Sequence, residues 1–201
     1  MGKYLLIQFI KKLFRVPTKV FCYLINSILM KVNGVHCQNF RINGIIYMRN
    51  RGLIEIGDHF RANSGKNKNP IGGDTVLRFI VENGGQLIIK ENVGISNSTI
   101  VCWDSVTIGK NVNIGGSCRI WDTDFHELDP GSRTGIDNHF SSTKTAPIVI
   151  SDNAFIGGGV IILKGVSIGK NSVVGAGSVV RESIPSSEIW AGNPAKFMRK
   201  L

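Results

Sequence analysis

Aliphatic residues recur at every sixth position in the C-terminal half of the chain. Ile150, Ile156, Ile162, Ile168, Val174 and Val180 keep one phase without a miss, and glycine follows the beat at Gly157, Gly169 and Gly175. An earlier run keeps the period at Ile108, Ile114 and Ile120, with Gly109 and Gly115, and a looser one passes through Ile89, Ile95 and Val101. A period of six fits neither the 3.6 of a helix nor the plain alternation of a strand. Short strands joined by tight corners produce it. If each hexad makes one flat side and its corner, three hexads return the chain to its starting azimuth, so that Ile150 stacks on Ile168 and Ile156 on Val174. Neighbouring coils then pair through backbone hydrogen bonds, and glycine beside the inward residue is expected to allow corner torsions that a β-carbon opposes. No single coil buries its own ladder, so stacking is compulsory.

The pattern predicts a mainly β chain: a parallel β-helix over residues 41–185, broken once between Ile120 and Ile148 by a loop at 121–147. Residues 1–40 form a separate helical segment in this reading. Leu6, Phe9, Ile10, Leu13 and Phe14 give a helix-spaced apolar face, Lys12, Arg15 and Lys19 a basic one, and Pro17 lets a second helix begin. Residues 186–201 are expected to form a tail with a short helix. A long loop inside a regular solenoid points to function, and this one holds two of the four histidines, His126 and His139.

Composition narrows the picture. With 201 residues, 42% hydrophobic and 19% charged, the chain suits one globular domain and excludes disorder and collagen. The net charge of +10 is uneven: residues 1–54 hold nine Lys/Arg and no acid. Either an anionic membrane surface met by residues 1–30 or packing of the segment over the β-helix accounts for this. Nucleic acid is disfavoured, because the basic segment is amphipathic and matches no nucleic-acid motif. The apolar stretch from Val20 to Met30 is flanked by lysines, contains Asn26 and Ser27, and is too short to span a bilayer. No small-residue cleavage site follows, so a cytoplasmic chain is expected, with peripheral contact at the inner face of the membrane as an option. Cys22, Cys37, Cys102 and Cys118 make no C-x-x-C pair, so no metal site is expected.

The runs VTIGKNVNIG (106–115), NAFIGGGVIILKGVSIGKNSVVGAGSVV (153–180) and WAGNPAKFMRK (190–200) resemble the hexapeptide-repeat acetyltransferases, closest to the galactoside, maltose and capsular or lipopolysaccharide sugar O-acetyltransferases. The resemblance implies a left-handed β-helix, a homotrimer, acetyl-CoA as co-substrate, a sugar or glycan acceptor and a role in surface polysaccharide biosynthesis. His126 takes the position of that family's catalytic base. An imidazole titrating near neutrality suits removal of a hydroxyl proton. Asp122, Asp124 and Glu127 are all close enough in sequence to orient it, with Asp124 preferred. Asn97 and Asp104 match positions that approach the acceptor, although a corner hydrogen bond for Asn97 and an Asx turn for Asp104 explain them equally. Gly158, Ala176, Arg181, Lys196 and Arg199 match positions that contact CoA in a groove between subunits. Small residues there leave room for pantetheine, and the cations pair with phosphates. Serine O-acetylation and amino-sugar N-acetylation remain alternatives, as does a non-enzymatic assembly or binding module. A gamma-class carbonic anhydrase needs three zinc-binding histidines, whereas His36, His59, His126 and His139 are scattered.

Overall fold

The computed structural model describes residues 18–127, 129–131 and 143–201. The apolar face from Leu6 to Phe14 and His139 therefore lie outside the described residues. After a helix, α1, at 18–32, the chain winds through successive three-strand coils. The first coil is β1 (Phe40–Gly44), β2 (Tyr47–Asn50) and β3 (Leu53–Ile56); the second is β4 (Phe60–Ser64), β5 (Arg78–Val81) and β6 (Gln86–Ile89). The third is β7 (Gly94–Ser96), β8 (Thr99–Cys102) and β9 (Ser105–Ile108); the fourth is β10 (Asn113–Ile114), β11 (Arg119–Trp121) and β12 (Ile148–Ile150). Then come β13 (Phe155–Ile156), β14 (Ile161–Ile162), β15 (Ser167–Ile168), β16 (Val173–Val174) and β17 (Val179–Val180), before β18 (Glu188–Ala191) and β19 (Lys196–Lys200). Every third strand pairs in parallel, which gives a three-sided prism. Sheet I is β1-β4-β7-β10-β13-β16-β18-β19, sheet II is β2-β5-β8-β11-β14-β17, and sheet III is β3-β6-β9-β12-β15.

The six-residue beat is the inward ladder. Ile108, Ile150 and Ile168 are in register on sheet III, Ile114, Ile156 and Val174 on sheet I, and Ile120, Ile162 and Val180 on sheet II. Most of these side chains are fully buried, and each buried Ile contributes on the order of 1.5–3 kcal/mol relative to exposure. In the third coil the inward residue is Ile100, in register with Phe79 and Ile120, rather than Val101. Five residues lead from Ile95 to Ile100 and eight from Ile100 to Ile108, because β8 and β9 are longer than the later strands, and this shifts the beat.

The glycines that follow the beat act differently from expectation. They do not carry the corner torsion; instead the next coil passes against their missing side chains. A β-carbon on Gly115 would lie 2.5 Å from the Gly158 nitrogen, and one on Gly157 would lie 2.5 Å from the Ala176 nitrogen. The left-handed torsion at the III/I corner falls mainly on asparagines, Asn92, Asn111, Asn153 and Asn171, with φ between 59° and 62°. Their amides also bond coil to coil: Asn111 Nδ2 donates to Asn153 Oδ1 at 2.9 Å, and Asn153 Nδ2 to Asn171 Oδ1 at 3.0 Å.

Two further features correct the sequence reading. The C-terminal tail is not a helix: β18 adds to sheet I and turns through Gly192 and Pro194 into antiparallel β19. Gly192 takes φ 104° and proline lacks an N–H, so a strand turn is favoured over helix there. The coil is also broken twice, because residues 65–77 leave the I/II corner between β4 and β5. At the other end α1 caps the first coil through buried Asn26, whose Nδ2 donates to the Gly44 carbonyl (2.9 Å) while its Oδ1 accepts from the Ile46 N–H (3.1 Å). The opposite side of α1 leaves Val20, Phe21, Leu24 and Ile28 more than half exposed.

Because Gly157 is needed for close approach, Gly157→Ala is expected to destabilise the protein by about 1–3 kcal/mol through overpacking, read as a lower midpoint in urea unfolding.

Candidate active site

His126 sits at the II/III corner of the fourth coil, just beyond a clamp that closes the base of the extruded loop. Thr123 bridges antiparallel to Thr145, the Asp124 N–H donates to the Lys144 carbonyl (3.1 Å), and the Ala146 N–H donates to the Asp122 carbonyl (3.0 Å). The Asp122 side chain is fully buried, and its two oxygens accept the N–H groups of Trp103 and Asp104 at 2.8 Å each. A carboxylate with two backbone donors ties the loop to the coil before it. Asp124 pairs across the corner with Lys164 at 3.4 Å.

Phe125 completes the anchor. Its ring packs edge-on to Trp103 (5.8 Å) and tilted against Trp121 (6.2 Å), and its N–H donates to Thr123 Oγ1 (3.1 Å). Its φ of 62° is unusual for a bulky residue and costs on the order of 1–3 kcal/mol, which the surrounding packing offsets. That torsion turns the half-buried phenylalanine onto the two tryptophans and presents the next residue, His126, on the exposed surface. Of the three acids near it, Asp122 and Asp124 therefore hold the loop base, while Glu127 keeps a buried Oε1 with no hydrogen-bond partner among the described residues.

The remaining expected site residues fall into separate places. Asp104 shares the II/III corner with His126. Gly158 and Ala176 lie on the I/II corner, at the other edge of sheet II. Arg181 follows β17 on the His126 side and pairs with Glu182 (3.5 Å), so it does not join Gly158 and Ala176 within one chain. Lys196 and Arg199 are on exposed β19, opposite Ala191 and Ile189.

Asn97 is fully buried on the I/II corner, where its Nδ2 donates to the carbonyls of Gly65 (3.2 Å) and Gly73 (2.8 Å). It anchors the 65–77 loop, which was not read from the sequence. That loop lies along the same corner as Gly158: a β-carbon on Gly158 would come 3.1 Å from Ile71 Cδ1, and one on Gly116 would meet the Asn69 amide. The Gly- and Asn-rich run GKNKNPIGGD was the available signal.

The buried thiols are held protonated. Burial, with the Asp122 carboxylate beside it, pushes Cys102 up to about 12, and burial raises Cys118. Neither supplies a thiolate near neutral pH.

Residues 147–182 match the bacterial transferase hexapeptide family (six repeats). The chain is 33% identical over 158 residues to the putative lipopolysaccharide biosynthesis O-acetyl transferase WbbJ of Escherichia coli strain K12, covering 77% of this chain and 75% of that one. It is also 37% identical over 141 residues to gamma carbonic anhydrase 2, mitochondrial, of Arabidopsis thaliana, covering 57% of this chain but only half (50%) of that protein. Here His36 precedes β1, His59 lies on the III/I corner and His126 on the II/III corner, and among the described residues no three His, Cys, Asp or Glu group to hold a metal ion. Among solved structures, the hexapeptide-repeat acetyltransferase VCA0836 of Vibrio cholerae O1 biovar eltor, complexed with acetyl coenzyme A, matches with a TM-score of 0.59 and 27% identity, over 87% of this chain and 75% of that one. The stacked coils, the repeat and these relatives together place the chain in the hexapeptide-repeat transferase family, as an acyltransferase built on a left-handed parallel β-helix.

Proposed function

We propose that the chain transfers an acetyl group from acetyl-CoA to a hydroxyl of a sugar or glycan, with His126 as general base. The observation that carries this reading is the Phe125 anchor, which spends backbone strain to present an imidazole at a corner of the prism. The relative named as a lipopolysaccharide O-acetyl transferase supports a sugar hydroxyl in surface polysaccharide biosynthesis as the acceptor.

In this mechanism neutral His126 accepts the hydroxyl proton as the acceptor oxygen attacks the thioester carbonyl. The C–O bond forms, the tetrahedral oxyanion collapses, the C–S bond breaks, and the CoA thiolate takes the proton back from the imidazolium. The protonated state of Cys102 and Cys118 favours this direct transfer over an acyl-cysteine intermediate. Asp124 acts as a positioning residue through Lys164 and its own backbone. Gly158, Ala176 and Lys196 line the CoA path, with Arg199 near its phosphates. Asp104 is placed beside the acceptor, and Asn97 shapes the site through the 65–77 loop.

His126 and the Gly158 corner flank opposite edges of sheet II, so one chain does not bring them together. A ring of three chains with sheet II facing the axis sets the His126 edge of one against the Gly158 edge of the next, and Arg181 then faces the same cleft from the His126 side. One outward row of sheet II supports this arrangement: Ile80, Val101 and Trp121 are in register and apolar. The other row is apolar only at Ile161 and Val179, and continues through Arg119, Thr99 and Arg78. Among the described residues no helix is long and apolar enough to cross a membrane. Free cysteines suit the cytoplasm, and the exposed apolar side of α1, flanked by Lys19 and Lys31, suits peripheral contact with an anionic bilayer.

His126→Ala is expected to lower kcat about 10²–10⁴-fold while the assembly and the KM for acetyl-CoA stay near wild type, measured by release of free CoA thiol over a panel of glycosides. Retention of the wild-type rate would remove His126 from the chemistry. Val101→Glu, which puts a charge between Ile80 and Trp121 in the apolar row, is expected to give monomers by light scattering and to abolish transfer.

A further inference from the structure

A groove of about 610 Å³ lies between α1 and the outer face of sheet I. Arg41 and Arg61 project into it from β1 and β4, where they are directly in register, and Lys19 enters from α1. Like charges opposite one another on neighbouring strands, about 4.7–4.9 Å apart, repel. Among the described residues no acidic side chain lines the groove, and none of the three cations has an ion pair. The first 54 residues contain no acid at all, so nothing local in sequence neutralises them. Three unneutralised cations around one cavity make a site for more than one negative charge, which favours a phosphate or pyrophosphate over a single carboxylate.

The rest of the lining is suited to sugar. Asn43 Nδ2 donates to Asn63 Oδ1 (3.3 Å) and Asn63 Nδ2 to Ser96 Oγ (3.0 Å), so a polar ladder runs along the floor. Two aromatic rings flank it: Tyr23, stacked on Phe40 at 4.9 Å, and half-exposed Phe155. The groove reaches Gly115, which packs against the Gly158 corner. Lys196 and Arg199 are at the other end of the same sheet, beyond β16 and β18. Sheet I therefore has two cationic regions, one at each end.

We propose that this groove binds the phosphate-bearing end of the acceptor, so that the substrate is a phosphorylated or pyrophosphate-linked glycan whose hydroxyl reaches the Gly158 corner. Arg41 and Arg61 hold the phosphate oxygens, Lys19 adds the third charge, and the asparagine ladder and aromatic rings hold the sugar. The glycan part rests on the function proposed above; the anion site does not.

The test is calorimetric titration of the full chain with inorganic pyrophosphate, together with kinetics of the Arg41→Gln/Arg61→Gln double variant. The expected result is that the double variant binds pyrophosphate about tenfold or more weakly. Its kcat/KM ratio for a phosphorylated over an unphosphorylated glycoside falls by a similar factor, and Arg61→Lys in the otherwise wild-type chain keeps most of the pyrophosphate affinity. Unchanged pyrophosphate affinity in the double variant overturns the anion site, whether or not the chain transfers acetyl groups. A raised KM for acetyl-CoA with the glycoside ratio unchanged overturns the acceptor assignment and gives the groove to CoA phosphates. Loss of sedimentation with phosphatidylglycerol-containing phosphatidylcholine vesicles, with pyrophosphate affinity retained, overturns it in favour of a lipid headgroup surface.

Discussion

Close stacking of one coil on the next is the constraint from which the rest of the molecule follows. A coil of three short strands has almost no interior of its own, so its aliphatic ladder is buried only by the coils above and below. The backbones must come to β-sheet spacing at the corners as well as along the flat sides. Gly115 and Gly157 meet this demand by having no β-carbon where the next coil passes. The asparagine corners meet it by adopting left-handed torsion and by bonding to each other through their side-chain amides.

A prism under this constraint has little freedom to build a pocket inside, because the interior is filled by the ladder. Chemistry is left to the corners and outer faces. The two interruptions use the two edges of sheet II. At the II/III corner the Asp122 carboxylate, the paired base of the loop and the Phe125 wedge hold His126 in place. At the I/II corner Asn97 pins the 65–77 loop beside Gly158. Each device is fixed at its base by hydrogen bonds, as positioning of reacting groups requires.

The sequence displayed the periodic part of this plan almost completely, because a ladder of buried Ile and Val is a one-dimensional signal with one-dimensional causes. Ile150 on Ile168 and Ile156 on Val174 could be read before any coordinates. The loop that carries His126 was legible because a break in a strict beat is conspicuous. The 65–77 loop was not, since the beat was followed only from Ile89 and the earlier coils hide their ladder among longer strands and aromatics such as Phe60 and Phe79. The tail was misread as helix because the antiparallel pairing of β19 depends on β18, a partner found only once the coils are stacked. Arg181 looked like a neighbour of Ala176 in sequence, yet the four residues between them cross a whole face of the prism. The groove on sheet I escaped for a related reason: Arg41, Asn63, Ser96 and Phe155 fall on off-beat positions and come from four different coils.

The central claim is that His126 of one chain works against the Gly158 corner of another. Mixing His126→Ala with Ala176→Trp tests it, because each variant alone should be inactive while a mixed trimer contains some intact junctions. Random reassembly of equal amounts is expected to restore about a quarter of wild-type activity, from the chance that adjacent chains contribute one intact edge each. A mixture as inactive as both parents would show that the two edges act within the same chain and would contradict the shared site.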